Sequence, residues 1–177
     1  YERDKNCTCV IMWSLGNEAS WGKMFYEGAD YIHEYDGRPI QYEGITCLAD
    51  KKLYYTPKVD IASRMYPRLD EMEAFFRDEK EKRPLVLCEY SHAMGNSNGD
   101  LNDYWRLIDS KDRFIGAFVW EWRDHAIKSK RGYLYGGDFG EKENDGNFCV
   151  DGLLNPDCTP KSGFYELQAI YGGKREQ

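Results

Sequence analysis

The stretch "RPLVLCEYSHAMGNS", Arg83 to Ser97, decides how this chain is read. Leu85, Val86, Leu87 and Cys88 make an apolar run of buried-strand length, and the run ends on an ionisable Glu89. Tyr90, His92 and the Gly95-Asn96-Ser97 turn signal follow at once. A strand that carries a carboxylate, a phenol and an imidazole to its own exit either anchors an ion pair or serves a site. Taken alone, a strand-end Glu is more often the ion pair, and His92 a core histidine. The rest of the chain weighs between the two.

Upstream, "CTCVIMWSL" (Cys7–Leu15) predicts another buried strand, stopping at Gly16-Asn17-Glu18. Trp21 to Glu34 follows as a helix with Met24, Phe25, Gly28, Ala29 and Ile32 on one face. "DGRPIQYEG" (Asp36–Gly44) is a turn and a short strand, Val59–Tyr66 a further strand, and Asp70–Lys82 a charged helix with Met72, Phe75 and Phe76 inward. Downstream, Leu101, Tyr104, Trp105 and Ile108 keep helical spacing, and "RFIGAFVWEW" (Arg113–Trp122) is the fifth strand. Gly132–Pro160 is rich in Gly, Asn and Asp and predicts a long loop with short strand pieces. Thr159 and Pro160 suit the Ncap and N1 positions of a last helix carrying Phe164, Leu167 and Ile170.

Strand and helix therefore alternate, which predicts an α/β fold with a parallel sheet. In such folds the C-terminal strand ends lie together. Asn17-Glu18, Tyr66, Glu89-Tyr90-His92 and Trp120-Glu121-Trp122 are then expected on one face. A faint echo links "GRPIQYEG" to "KRPLVLCEY": both place Arg-Pro before an apolar run that ends near a Glu.

Composition narrows the function. With 41% hydrophobic and 31% charged residues, the 177-residue chain is an ordinary globular segment. A net charge of -7, without a dense Lys/Arg cluster, argues against a nucleic-acid partner. No apolar run approaches the roughly 18 residues of a membrane span. The six cysteines contain no CxxC pair, and the expectation is free buried thiols in a reducing, cytoplasmic compartment. Cys7 and Cys9 on one side of a strand make a poor disulfide and a poor metal clip. Asp138, Asp145 and Asp151 fail the spacing of a calcium loop. The chain opens on Tyr1 without a signal-like segment, and the reading is an excised piece of a longer protein.

Two convergent carboxylates with aromatics and no metal motif suit glycoside hydrolysis. One acts as general acid on the leaving oxygen, and the other as nucleophile or as base for water. Mutual repulsion of the pair raises one pKa and keeps a proton where the acid needs it. Trp120, with Trp13 or Trp122, can face the apolar side of a pyranose. The same composition also allows a sugar-binding surface without catalysis. Glu43 and Glu121 end strands too, and are read as structural or as supporting the site from behind.

The residues themselves resemble a known family. "VIMWSLGNE" and "LVLCEYSHAMGNS" are similar to the two active-site segments of the β-galactosidases of glycoside hydrolase family 2. "GAFVWEWRDH" and "YGGDFGEKENDGNFCVDGL" resemble that family's next strand and the loop after it. The first pattern is shared with β-glucuronidases and β-mannosidases, which remain an alternative, whereas "HAMGNS" with "GGDFG" and "NFC" favours β-galactosidases. The resemblance implies a retaining enzyme acting on terminal β-D-galactosides such as lactose, with Glu89 as nucleophile and Glu18 as acid/base. It assigns Asn17, Tyr66, His92 and Trp120 to the sugar. It also implies Mg²⁺ at Glu18, whose companion ligands lie upstream of this chain, and Na⁺ at the Phe148 carbonyl and Asp151. Asp151 stands where the best-known members have Asn, and Trp21 is a departure expected on the aglycone side.

The implied fold is a TIM (β/α)₈ barrel, which typically takes about 250 residues and eight strands. The five strands read here correspond to strands four to eight, so the whole of 1–177 is one segment of the C-terminal part of a catalytic barrel. Cys7–Leu15 and Arg113–Trp122 would be open edges through which the segment could self-associate. The resemblance further implies a homo-oligomeric parent, and since barrel closure sets the carboxylate separation and part of the Mg²⁺ site is missing, the segment is expected to be inactive by itself.

Overall fold

The computed structural model describes residues 1–44, 57–95 and 97–173. Strand β1 (Trp13–Ser14) pairs in parallel with β2 (Ile40–Gln41), Trp13 opposite Ile40 and Ser14 opposite Gln41. Helix α1 (Lys23–Tyr35) lies between them in the chain. A parallel bridge from Gln41 to Ile61 leads on to β3 (Ala62–Met65). Strands β3, β4 (Leu85–Tyr90) and β5 (Phe114–Val119) are neighbours in that order, with α2 (Leu69–Arg77) and α3 (Leu101–Asp109) between them in sequence. Five strands thus succeed one another in chain order, each pair separated by a helix or a long connection. That is the succession of neighbouring staves in a βα barrel.

The chain divides into two compact units. The first is Tyr1–Cys88 with Asp112–Gly116, and the second is Glu89–Lys111 with Ala117–Gln177. In the first, Ala29 and Ile32 of α1 are buried with Ile40, Tyr42 and Val59, and Trp13, Leu15, Trp21 and Phe25 pack on that cluster. Met24, expected inward, is exposed. Phe25 stacks on Tyr42 with ring centroids 4.4 Å apart, and Trp21 stacks on Phe25 at 5.5 Å. Trp21, half-buried, is therefore part of this aromatic packing.

The predicted strand Cys7–Leu15 shrinks to Trp13–Ser14, and the residues before it form turns. The reason is Arg38. Its guanidinium donates to the carbonyls of Lys5 (2.7 Å), Cys7 (3.2 Å) and Val10 (3.2 Å), and it lies over the Trp13 ring. Carbonyls wrapped around a cation cannot also lie in a sheet ladder. Cys7 and Cys9 are exposed as a result, as is Cys158, while Cys88 and Cys149 are half-buried. The expectation of buried thiols fails at these positions, and Cys47 lies outside the described residues. Helix α2 ends at Arg77, short of Lys82, because the chain turns at Asp78 and sends Glu81 inward.

Glu81 is 1% exposed and accepts from the Arg83 guanidinium at 2.6 Å and 2.9 Å and from the Arg83 backbone N–H at 2.9 Å. Arg113 donates to the carbonyls of Glu81 and Arg83, tying the start of β5 to the start of β4. Glu81→Ala removes the carboxylate partner of a guanidinium that is largely out of water, so it should lower unfolding free energy by about 3 kcal/mol. Urea denaturation of the chain reads this directly.

In the second unit Tyr90 is fully buried, and burial raises its phenol pKa. Its hydroxyl accepts from Trp105 Nε1 at 2.9 Å and meets the Tyr171 hydroxyl at 3.3 Å. Tyr90 is thus a packing residue, which settles one part of the question posed by Arg83–Ser97. Beyond β5 come the hairpin strands β6 (Ile127–Ser129) and β7 (Gly132–Leu134), a 3₁₀ turn at Gly146–Cys149 and helix α4 (Ser162–Tyr171). The predicted start of α4 at Thr159-Pro160 moves to Lys161-Ser162. The Thr159 hydroxyl donates to Asp157 at 2.6 Å, and Asn155 N–H donates to the Thr159 carbonyl, so Thr159 closes a turn instead of capping a helix. No helix among the described residues is long and apolar enough to cross a membrane.

Candidate active site

In the first unit the end of β1 turns sharply through Gly16, Asn17 and Glu18, all exposed. Glu18 has φ 47° and Ser20 φ 59°, left-handed conformations that cost a non-glycine residue about 1–3 kcal/mol unless the surroundings hold them. The segment after β2 does the holding. Leu15 N–H donates to the Gln41 carbonyl at 3.2 Å, and the buried Tyr42 hydroxyl donates to the Ser20 carbonyl at 2.6 Å. Glu43, 4% exposed, accepts the Glu18 N–H on Oε1 at 2.5 Å and the Gly44 N–H on Oε2 at 2.7 Å. Gly44 fits because it lacks a Cβ, which would stand 2.6 Å from the Tyr42 ring and 2.7 Å from the Ser20 carbonyl. Tyr66, directly after β3, is exposed and also left-handed at φ 48°. Two strand ends in this unit therefore carry a candidate side chain on a strained residue.

In the second unit Glu89 is half-buried, the last residue but one of β4. The chain bends at Ser91 (φ 51°), and Ala93 N–H donates to the Trp120 carbonyl at 3.0 Å. This brings the loop after β4 to the residue after β5. His92 approaches Asp151 Oδ2 with Nε2 at 3.5 Å, and its ring lies 5.9 Å from that of Phe148. Trp120 Nε1 donates to the same Asp151 oxygen at 2.9 Å. Four of the residues singled out by the sequence, His92, Trp120, Phe148 and Asp151, thus converge.

Behind them lies an acidic group. Glu121 is pushed up to about 7 by burial, by a hydrogen bond with Asp151, and by the neighbouring Asp151 and Asp124 charges. Asp124 is buried, accepts Gly152 N–H at 2.7 Å and pairs with Lys161 at 2.6 Å. Gly152 passes so close to Arg123 and Asp124 that a Cβ would sit 2.2 Å from their backbone. Asp151 is 2% exposed, and its Oδ1 is buried with no hydrogen-bond partner. A buried carboxylate oxygen of this kind suits a cation at the expected Na⁺ position, and Asp151 also shares a hydrogen bond with Glu121, whose proton can serve the same carboxylate. Among the described residues no group of three or more His, Cys, Asp or Glu is placed to hold a metal ion.

Comparison with known proteins gives this arrangement a family. The profile described as "Glycosyl hydrolases family 2, TIM barrel domain" matches residues 1–174. The chain belongs to glycosyl hydrolase family 2. It is 48% identical over 172 residues to a β-galactosidase of Staphylococcus xylosus, covering 93% of this chain and 17% of that protein. It is 45% identical over 171 residues to a β-galactosidase of Actinobacillus pleuropneumoniae, covering 96% and 17%. The chain thus spans about a sixth of the length of these curated relatives. Among solved structures, the family 2 β-galacturonidase of Eisenbergiella tayi, bound to galacturonate, superposes with a TM-score of 0.67 at 17% identity, over 97% of this chain and 34% of that one. The β-glucuronidase of Ruminococcus gnavus gives 0.63 at 23% identity, over 96% and 32%. At such identities the structural likeness speaks for the fold alone, that of a TIM-barrel segment.

Within this family segment, Asn17, Glu18 and Tyr66 fall in the first unit, and Glu89, His92, Trp120, Phe148 and Asp151 in the second. Glu43 and Glu121, read from the sequence as structural or supporting, take such places: the Glu43 carboxylate accepts the Glu18 N–H, and Glu121 has its proton affinity raised beside Asp151. Both sit at strand ends, and the Arg-Pro echo between "GRPIQYEG" and "KRPLVLCEY" pointed at Glu43 without saying what it does.

Proposed function

We propose that this chain is the C-terminal part, strands four to eight, of the catalytic barrel of a retaining β-galactosidase. The observation that carries the reading is the family match across residues 1–174, which takes in both strand-end glutamates, with relatives named β-galactosidase at up to 48% identity. In the first step Glu18 protonates the glycosidic oxygen while the Glu89 carboxylate attacks C1. The C1–O bond breaks, the aglycone leaves as an alcohol, and galactose remains esterified to Glu89. Glu18, now a carboxylate, then takes a proton from water, whose oxygen attacks C1 and frees Glu89. Retention by this route sets the two carboxyl groups about 5–5.5 Å apart in the whole protein.

Asn17 and His92 would hydrogen-bond sugar hydroxyls, Trp120 would wall the pocket, and the Tyr66 phenol would donate to Glu89 and ease release of the sugar. His92 and Trp120 share Asp151 as a common anchor, which supports their assignment to one pocket. Glu18 would contribute to a Mg²⁺ site, and the Phe148 carbonyl with Asp151 to a Na⁺ site. Bound there, the cations would supply positive charge beside the acid/base and beside the sugar.

With the whole protein, a nitrophenyl β-galactoside should be turned over in preference to the matching β-glucuronide and β-mannoside. Preference for either of those would refute the substrate class. The isolated chain should show little or no turnover, because barrel closure sets the spacing of the carboxylates. Turnover equal to that of the whole protein would refute that part.

A further inference from the structure

We propose that Glu43 is a positioning residue for Glu18: its buried carboxylate holds the Glu18 backbone N–H and so fixes the left-handed turn that aims the Glu18 side chain. The inference rests on the proposed acid/base role of Glu18 and goes beyond it, since Glu43 is not required to touch the sugar.

The geometry is specific. A carboxylate out of water needs donors on its oxygens, and each Glu43 oxygen has a main-chain N–H, from Glu18 at 2.5 Å and from Gly44 at 2.7 Å. The donor on the first oxygen belongs to the residue whose side chain is to do the chemistry. That residue sits at φ 47°, a conformation that persists only where neighbours over-determine it. Tyr42, one residue before Glu43, anchors the same turn through the Ser20 carbonyl. Rotating the Glu18 backbone out of the left-handed region would redirect its Cα–Cβ bond, and with it the proton it delivers. Proton transfer in the transition state depends on that placement.

The test uses the whole protein with Glu43→Ala and Glu43→Gln, the second retaining shape and one acceptor oxygen, and reads kcat/KM with two galactosides. Lactose has a poor leaving group and needs the acid, whereas a 2,4-dinitrophenyl galactoside does not. Glu43→Ala should lose about 10²-fold with lactose, the scale of misplaced general-acid catalysis, and far less with the activated substrate. Glu43→Gln, with a melting temperature near that of the unchanged protein, should show the same asymmetry at smaller size. Equal losses with both substrates, or no loss in either variant, would overturn the inference. If Glu43→Ala does not fold, the asymmetry in Glu43→Gln decides. Glu18→Ala measured alongside separates the two claims. If it lacks the leaving-group asymmetry, the acid/base assignment fails; if it has it and the Glu43 variants do not, only the positioning role fails.

Discussion

Glu89→Gly is expected to lower kcat for an aryl β-galactoside in the whole protein by on the order of 10⁴-fold or more, the scale on which loss of a catalytic nucleophile acts. Glu89 sits near the end of β4, half-buried, where a smaller residue leaves room without unseating the buried run Leu85–Leu87 beneath it. Folding should therefore survive and chemistry should not. The stereochemistry of rescue discriminates further. Azide placed in the vacated space would attack C1 from the face that Glu89 used, so the product should be the α-galactosyl azide. A variant that keeps a tenth of its turnover, or yields the β-azide, would show that Glu89 is a structural carboxylate.

Glu18→Ala should lower kcat/KM for lactose by about 10²–10⁴-fold while sparing a dinitrophenyl galactoside, because only the poor leaving group needs a proton. The second step loses its base as well, so kcat for the activated substrate should fall and the galactosyl-enzyme should accumulate. Azide, which needs no base, should then restore turnover and give the β-galactosyl azide, opposite in configuration to the product with Glu89→Gly. Glu18 is exposed on its turn, and the hydrogen bond it donates to Glu43 comes from its backbone N–H, so truncating the side chain leaves that contact in place. Uniform loss with both substrates would argue against the acid/base role.

How much of this was legible in the sequence differs from element to element. The β4 run and the strand ends at Glu18, Tyr66 and Glu89 could be read because apolar continuity and an abrupt polar stop are local signals. The failure at Cys7–Leu15 has the opposite cause. Its hydrophobicity resembles that of a strand, but the carbonyls of Lys5, Cys7 and Val10 are claimed by Arg38, about thirty residues away. Thr159 misled in the same way, its hydroxyl being taken by Asp157. Glu43 could be read as a supporting carboxylate, but not its hold on Glu18, which runs through a main-chain N–H that every residue but proline carries and no motif marks. The anchoring of His92 and Trp120 by Asp151 likewise joins residues separated by 31 positions or more in the chain.

The central claim is that Glu89 becomes covalently joined to the sugar, and trapping that intermediate tests it most directly. The whole protein, incubated with a 2-deoxy-2-fluoro-β-galactosyl fluoride, digested and sequenced by mass spectrometry, should carry one fluorogalactosyl group, on Glu89 within "LVLCEYSHAMGNS". A label on another carboxylate, or an active enzyme that takes no label, would contradict it.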